Sequence, residues 1–351
     1  MADGLILSID GMGGDHAPEI VVEGVEIAAR ALPDVKFLIH GDPAQLETLL
    51  AHAPAAKAAS SICPAAGRIG MDVKPSQALR QGKDSSIWNA VEAVKEGRAH
   101  AVVSAGNTGA FMAIAMFRLR TIPGVHRPAL TSSWPSMSGP VVVLDVGANV
   151  EADSEQLVEF AIMGEAFHRA VHGKERPTVG LLNVGSEDQK GHEEIRTAAR
   201  LMRESAIDLT FHGFVEGDDL GKGTVDVVVT DGFTGNIALK TAEGTARLVA
   251  HFLKSALKSG PLAILGALIA YPALKKLKAR MDPSSVNGAV FLGLNGVVVK
   301  SHGGATGHGF AAAIDVAARL AKSHYREEIA RNLARLVEAE AAAAAQLGDA
   351  S

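Results

Sequence analysis

The sequence predicts an α/β fold with a mostly parallel sheet and helices on both of its faces. Short apolar segments alternate with longer segments of helical periodicity, which is typical of such folds. The chain has 351 residues, 47% of them hydrophobic, enough to bury a large core. It contains no internal repeat and no linker rich in proline, glycine or serine. We therefore expect one large domain over 1–325 and an alanine-rich tail over 326–351.

Seven segments are predicted to be strands because each is short, aliphatic and bounded by glycine or polar residues. In chain order they are 5–9, 35–39, 100–104, 141–146, 179–184, 226–230 and 296–300. The segments between them are predicted to contain the helices, and Pro18 suits the first turn of the helix that follows the first strand. The tail is predicted to be a surface helix.

Composition excludes several classes of protein. The formal net charge is -5 and only 4% of the residues are aromatic, so neither a basic field nor a set of stacking platforms favours binding to nucleic acid. Cys63 is the single cysteine, which excludes an internal disulfide framework and fits a reducing cytosol. The sequence has no secretory signal and no apolar stretch of the roughly 20 residues that span a bilayer. A cytoplasmic protein is expected.

Polar turns that contain glycine follow six of the predicted strands. They read GMGGDHAP, SAGNTGA, LDVGANV, LLNVGSEDQKG, VVVTDGFTGN and VKSHGGATGHG. Because parallel strands share their carboxyl edge, these turns are expected to meet in one polar crevice. Free N–H groups and small hydrogen-bonding side chains predict an anion cradle there. The alternative is that the turns are purely structural and that their glycines only supply positive φ angles.

Several familiar catalytic motifs are absent from the sequence. There is no GxSxG elbow, no HExxH or paired CxxC, and no GxxxxGK[ST] loop, which argues against a serine hydrolase, a zinc site and NTP hydrolysis. In GMGGDH, His16 stands where a dinucleotide fingerprint has its third glycine. Asp10, Asp145 and Asp231 follow strands, where they either hold Mg²⁺ or orient a lysine, or else cap the next turn. No metal site is predicted, and whether Mg²⁺ assists the reaction stays open.

Six motifs in this order resemble the bacterial phosphate acyltransferase family known as PlsX. They are DGMGGDHAPEIVVEG, SAGNTGA, HRPAL, LLNVGSEDQKG, VTDGFTGNIALKTAEG and NGAVFLGLNGVVVKSHGG, and the resemblance runs from about residue 5 to residue 322. It implies an α/β/α architecture related to isopropylmalate dehydrogenase and phosphotransacetylase, in a homodimer. We expect no cofactor. It also implies transfer of a long acyl group from acyl-ACP (acyl carrier protein) to inorganic phosphate. The acyl phosphate then serves a membrane glycerol-3-phosphate acyltransferase at the start of phospholipid synthesis.

The resemblance also implies roles for individual residues. Lys190 is the main cation for phosphate or for the developing oxyanion, Asn236 donates to the same centre, and Asp231 orients the lysine. The phosphate end is lined by Gly13, Gly14, Asp15 and His16, with Ser104, Asn107 and Thr108 opposite. His16 is either a proton shuttle or a structural histidine, and the alternative for Lys190 is a solvated loop lysine. Phosphate attacks the thioester itself in this chemistry, so no serine or cysteine nucleophile is required.

Residues 261–280, PLAILGALIAYPALKKLKAR, join an apolar run to the basic residues Lys275, Lys276, Lys278 and Arg280. Such a stretch suits the inner face of the cell membrane, where anionic lipids lie, or an acidic carrier protein. The alternative is a helical hairpin buried at a dimer interface. Two other functions stay open for the chain as a whole. One is a non-catalytic scaffold at the membrane, and the other is a nicotinamide-dependent dehydrogenase of related fold.

Overall fold

The computed structural model describes residues 4–204, 209–281 and 288–349, apart from the side chains of 278–281 and 339–349. Eleven strands within these ranges form one sheet. They are β1 (Ile6–Asp10), β2 (Lys36–Gly41), β3 (Ser60–Pro64), β4 (Ala101–Ser104), β5 (Ala129–Pro135), β6 (Pro140–Leu144), β7 (Thr178–Leu182), β8 (Thr210–Val215), β9 (Val227–Val229), β10 (Ala289–Leu292) and β11 (Val297–Lys300). All seven predicted strands are confirmed, and β3, β5, β8 and β10 are additional.

Helices fill most of the segments between the strands. They are α1 (Glu19–Ala31), α2 (Pro43–Leu50), α3 (Pro54–Ala59), α4 (Pro75–Gln81), α5 (Ser86–Lys95), α6 (Thr108–Leu119), α7 (Ser154–His172), α8 (Glu193–Glu204), α9 (Asp219–Lys222), α10 (Gly232–Leu257), α11 (Pro261–Met281), α12 (Gly307–Lys322) and α13 (Tyr325–Asp349). Their first turns follow ordinary capping chemistry. Asp42, Ser85 and Asp153, for example, each accept a backbone N–H of the helix that they precede.

The sheet reverses direction in its middle. Its strand order is β3-β2-β1-β4-β11-β10-β5-β6-β9-β7-β8. The strands from β3 to β11 are parallel to one another, and so are the strands from β6 to β8. Between these groups, β10 is antiparallel to both β11 and β5, and β5 is antiparallel to β6. Three reversals leave the two parallel groups pointing in opposite directions.

This reversal corrects the expectation that all six polar turns meet in one crevice. The turns after β1, β4 and β11 lie at one edge of the sheet, and those after β6, β7 and β9 lie at the opposite edge. The expectation was wrong because two of the strands that it missed, β5 and β10, carry all three antiparallel pairings. The chain therefore has two polar sites where the sequence predicted one.

Helices cover both faces of the sheet, so the predicted three-layer architecture is confirmed. On one face α1, α7 and α12 contribute Val25, Phe160 and Ile314 to a buried apolar cluster. On the other face α5 and α6 contribute Trp88 and Phe111 to a second cluster. Burying a side chain of this size stabilises the fold by about 1.5 to 3 kcal/mol relative to leaving it exposed. Core packing on both sides thus fixes the strands whose ends carry the polar turns.

The predicted tail is helical, and its first part belongs to the core. Tyr325, Ile329 and Leu333 on α13 are buried, and they join the same apolar cluster as α7. Glu328 on α13 also forms an ion pair with Arg169 on α7. The start of the tail is therefore packed against the domain rather than lying freely at its surface.

Helices α10 and α11 are the least covered elements of the described chain. Large apolar side chains are more than half exposed on both, including Phe252, Leu262, Leu268 and Ile269. No one helix of the described residues is both long and apolar enough to cross a membrane, although α10 and α11 as far as Leu277 meet that criterion as a pair bent by 119°. These helices therefore present an apolar surface that the other described residues leave open.

Candidate active site

The turns after β1, β4 and β11 form a buried group, here called the first polar cluster: Asp10, Gly13, Gly14, Ser104, Gly106, Lys300 and Gly303. Ser104 Oγ donates to Asp10 Oδ2 at 2.6 Å and accepts the N–H of Gly106 at 3.0 Å. Lys300 Nζ donates to the carbonyl oxygens of Ala105 and Ser301. Burial raises the pKa of Asp10 and lowers the pKa of Lys300 to about 8.

Glycines let the three turns of this cluster approach one another. A Cβ on Gly13 would overlap the Asp10 carboxylate and lie 2.8 Å from the nitrogen of Gly106. Gly14 has a φ of +117°, which side chains rarely adopt. The next residue, Asp15, donates its N–H to the carbonyl of Gly303 at 2.9 Å. The glycines are therefore structural in part, as the alternative interpretation held.

The predicted phosphate-binding residues divide into buried and exposed ones. Gly13 and Ser104 are buried within the first polar cluster, whereas the side chains of Asp15, His16 and Thr108 are exposed. Neither the N–H of Gly13 nor that of Gly14 forms a hydrogen bond with a described residue. Their proposed contact with phosphate stays a prediction.

Asn107 makes contacts that the sequence did not suggest. Its Nδ2 donates to the carbonyl oxygens of Gly70, Met71 and Val73 at 3.2, 2.9 and 2.8 Å. Its Oδ1 accepts the N–H of Ala110 at 3.0 Å and caps α6. Both ends of the amide are therefore occupied by the protein, and only 8% of the residue is exposed.

The turns after β6, β7 and β9 form the second polar cluster: Asp145, Asn149, Asn183, Lys190, Asp231 and Asn236. Asp145 is fully buried and organises the turn after β6. Its carboxylate accepts the backbone N–H groups of Leu130, Gly147, Ala148 and Asn149, together with Asn149 Nδ2. Burial raises the pKa of Asp145, and these donors oppose the rise. Of the two roles considered for Asp145, the structure supports the structural one.

Lys190 lies in the turn between β7 and α8 with its side chain 51% exposed. Its Nζ is 2.9 Å from Glu187 Oε1, and this carboxylate raises the pKa of Lys190. Asn183 Nδ2 donates to the Lys190 carbonyl at 3.1 Å. A Cβ on Gly191, which has a φ of +86°, would overlap the Asn183 amide. Glycine at 191 thus lets the turn close on Asn183, and the ammonium group stays open to solvent.

Asn236 and Asp231 both lie at the start of α10, after β9. Asn236 Nδ2 donates to the carbonyl of Val146 at 3.1 Å, so this exposed amide lies beside the turn after β6. Asp231 caps α10 and accepts the backbone N–H and the hydroxyl of Thr234, both at 2.8 Å. The expected contact of Asp231 with Lys190 is not made. The carboxylate that pairs with the lysine is Glu187 instead, because the cap holds Asp231 on its own helix.

The structure therefore brings Lys190 and Asn236 to one edge of the sheet and places His16 at the other. Within the described residues, no three His, Cys, Asp or Glu side chains are arranged to hold a metal ion. The sequence interpretation overlooked Lys300 and Glu187. Lys300 directly follows a strand in VKSHGG, and Glu187 stands three residues before Lys190; both signals were present in the sequence.

The basic residues of α11 are only partly described. Lys275 and Lys276 are exposed, whereas the side chains of Lys278 and Arg280 lie outside the described residues. Neither Lys275 nor Lys276 forms an ion pair in the described part of the chain. The apolar side chains of α11 and these two lysines are therefore both open to solvent.

Known proteins similar to this chain are phosphate acyltransferases. The family model described as "Fatty acid synthesis protein" matches residues 5–328. A protein of Caulobacter vibrioides named phosphate acyltransferase is 63% identical over 97% of this chain and 95% of its own length. One of the same name from Phenylobacterium zucineum is 54% identical over 99% of both chains.

Solved structures show the same fold at much lower identity. The EutD phosphotransacetylase from Staphylococcus aureus superposes with a TM-score of 0.60 at 17% identity, over 91% of this chain and 94% of that one. A phosphotransacetylase from Streptococcus pyogenes superposes with a TM-score of 0.59 at 18% identity, over 92% of this chain and 95% of that one. The predicted phosphotransacetylase-like architecture is thus confirmed. The chain belongs to the fatty acid synthesis protein family, and within it to the phosphate acyltransferase enzymes known as PlsX.

Proposed function

We propose that this enzyme transfers a long-chain acyl group from acyl-ACP to inorganic phosphate. The acyl phosphate is then consumed by a glycerol-3-phosphate acyltransferase in phospholipid synthesis. The observation that carries the proposal is that an exposed cation, Lys190, and an exposed amide, Asn236, follow the neighbouring strands β7 and β9. Family membership favours this transferase over a scaffold or a nicotinamide-dependent dehydrogenase.

The reaction requires the protein mainly to position the reactants and to supply charge beside the oxyanion. A phosphate oxygen attacks the thioester carbonyl carbon, so that a C–O bond forms and the carbonyl oxygen becomes an oxyanion. The tetrahedral intermediate then collapses, the C–S bond breaks, and the carrier leaves as a thiolate that takes up a proton from solvent. The Lys190 ammonium and the Asn236 amide supply the cation and the donor that stabilise the oxyanion. Neither group needs to lose a proton.

A homodimer is part of this proposal. Gly13, Gly14 and His16 lie at the opposite edge of the sheet from Lys190. The two polar clusters serve one reaction only if different protomers contribute them. Mixing a Lys190→Ala chain with a Gly13→Ala chain, each inactive alone, would then restore activity in the hybrid dimer. A Gly13→Ala enzyme that stays active alone would assign the reaction to the second polar cluster.

We assign α11 to the inner face of the cell membrane, with the enzyme otherwise in the cytoplasm. The support is the combination of exposed Leu262, Leu268 and Ile269 with the exposed Lys275 and Lys276, which form no ion pair with a described residue. This combination suits an interface rich in anionic lipid. Changing both lysines to glutamate should lower binding to vesicles that contain anionic lipid. Unchanged binding at low salt would remove the membrane from the proposal.

The test of the reaction is the conversion of palmitoyl-ACP to acyl phosphate, trapped with hydroxylamine as the hydroxamate. Product should depend on added phosphate and fall by about 10² to 10³ in Lys190→Ala, the usual effect of losing one oxyanion donor. Lys240→Ala is the matched control, because Lys240 is equally exposed and pairs with Glu243 at 3.0 Å, three residues away. A wild-type enzyme that forms no acyl phosphate would defeat the proposal.

A further inference from the structure

Residues 65–84, here called the strap, carry an excess of unpaired positive charge. The strap contains four basic residues, Arg68, Lys74, Arg80 and Lys83, against two acidic ones, in a chain whose net charge is -5. All four are exposed, and none forms an ion pair with a described residue. Some other surface cations are neutralised in place, as Lys174 is by Asp226 at 2.7 Å. The strap is therefore a basic surface on an acidic protein.

The strap is held firmly beside the first polar cluster. Asn107 binds one loop of its backbone through the carbonyl oxygens of Gly70, Met71 and Val73. A Cβ on Gly303 would lie 3.0 Å from the Met71 methyl group, so the strap touches the turn after β11. A partner bound to this surface is thereby brought next to the glycine turns of that cluster.

An open cavity of about 310 Å³ lies on the strap. It is lined by Lys74, Ser76, Gln77, Arg80 and Gln81. Two of these side chains are cations, three are neutral hydrogen-bonding groups and none is a carboxylate. Such a lining suits acidic groups on a partner, since each added cation strengthens the attraction and speeds the encounter.

We propose that the strap docks the acidic carrier protein that delivers the acyl thioester, and that Asn107 is a positioning residue for the strap. This inference rests on the proposed function, because the carrier is a partner only if it brings the acyl group. The charge of the strap is the complement of an acidic carrier. A membrane is a poorer match, since Met71 is the one large apolar side chain of the strap that is markedly exposed, at 47%, whereas α11 exposes many.

The experiment measures binding and turnover in parallel for the double variant Lys74→Glu/Arg80→Glu. The dissociation constant for the carrier and the KM for acyl-ACP should each rise by about tenfold or more at low salt, and the difference should shrink at high salt. The kcat at saturating carrier and the KM for phosphate should not change. The control is Lys36→Glu/Lys57→Glu, which should bind the carrier as wild type does. These two exposed lysines form no ion pair with a described residue and lie before the strap in the chain, at the start of β2 and on α3.

Three results would overturn the docking site. The first is that the strap variant binds the carrier with wild-type affinity, and the second is that the control pair loses as much affinity as the strap variant. The third is that only Lys275→Glu/Lys276→Glu loses affinity, which would indicate that the carrier binds at α11. The binding arm also separates this inference from the proposed function. A wild-type protein that binds the carrier through the strap but makes no acyl phosphate leaves the docking site standing and defeats the reaction.

Asn107→Ser tests the positioning role. Serine retains a cap for α6 but cannot donate to the three carbonyl oxygens of the strap. We expect a higher KM for acyl-ACP with an unchanged KM for phosphate and an unchanged melting temperature within a few degrees. If only the KM for phosphate rises, Asn107 would instead be assigned to the phosphate site.

Discussion

The two polar clusters use similar side chains in opposite ways. In the first, Asp10, Ser104 and Lys300 are buried, and Ser104 and Lys300 donate hydrogen bonds to groups at the neighbouring strand ends. In the second, one buried carboxylate, Asp145, holds the turn, and the side chains of Lys190 and Asn236 are exposed. Position after a strand therefore does not set the role of a polar residue. Burial and the number of its internal partners do.

The largest expected effect on stability is at Asp145. Asp145→Ala removes the acceptor of four backbone N–H groups inside the second polar cluster and should cost about 3 to 5 kcal/mol of unfolding free energy, measured by urea denaturation. Asp231→Ala, at the same edge, removes only a helix cap and should cost about 0.5 to 2 kcal/mol. Equal losses in the two variants would break the distinction between a turn-forming and a capping carboxylate.

Asn236→Ala should show the reverse pattern, a loss of turnover without a loss of stability. We expect kcat to fall by about 10² or more because an oxyanion donor is removed, while the melting temperature stays within a few degrees of wild type. Asn295→Ala is the matched control, since Asn295 is also exposed and also donates to one backbone carbonyl, that of Thr121 at 2.7 Å. Unchanged turnover in Asn236→Ala would leave Lys190 as the sole contributor from this edge.

Gly13→Ala should damage the first polar cluster. The new Cβ would overlap the Asp10 carboxylate and crowd the nitrogen of Gly106, so we expect a loss of about 1 to 3 kcal/mol in unfolding free energy. Gly217→Ala is the control, because a Cβ at that exposed position meets no atom within 4 Å. A neutral Gly13→Ala variant would show that the close approach of these turns is not required.

The sequence predicted the layers and the seven inner parallel strands well, because aliphatic runs ended by glycine report burial directly. It missed β5 and β10, although AVFLGLNGVVVK carries the two apolar runs and the Asn-Gly of a hairpin. This omission concealed the reversal of the sheet and with it the separation of His16 from Lys190. The spacing of three residues did offer Glu187 as a partner for Lys190, whereas the hydrogen bonds of Asn107 to the strap depend on turn geometry that no spacing rule supplies.

The smallest expected effect is a pH dependence that distinguishes the lysines of the two clusters. Burial lowers the pKa of Lys300 from 10.5 to about 8, whereas Glu187 raises the pKa of the exposed Lys190. Between pH 8 and 10.5 the unfolded chain holds a proton on Lys300 that the folded protein has released, so this group makes stability rise with pH. Below pH 8 both states are protonated, and the cost of burying the charge is fully present.

Unfolding free energies from pH 8 to 9.5 test this difference. The unfolding free energy of the wild type should rise relative to that of Lys300→Met by up to about 1.4 kcal/mol per pH unit, which is the limit for one proton. The curve of unfolding free energy against pH for Lys190→Met should run parallel to that of the wild type over the same range. Because the pKa of Lys190 is raised, the contribution of this lysine to stability is lost only at higher pH. Parallel curves for wild type and Lys300→Met would mean that Lys300 keeps its proton in the folded protein, and the first polar cluster would then hold a permanent buried cation facing Asp10 and Asp15.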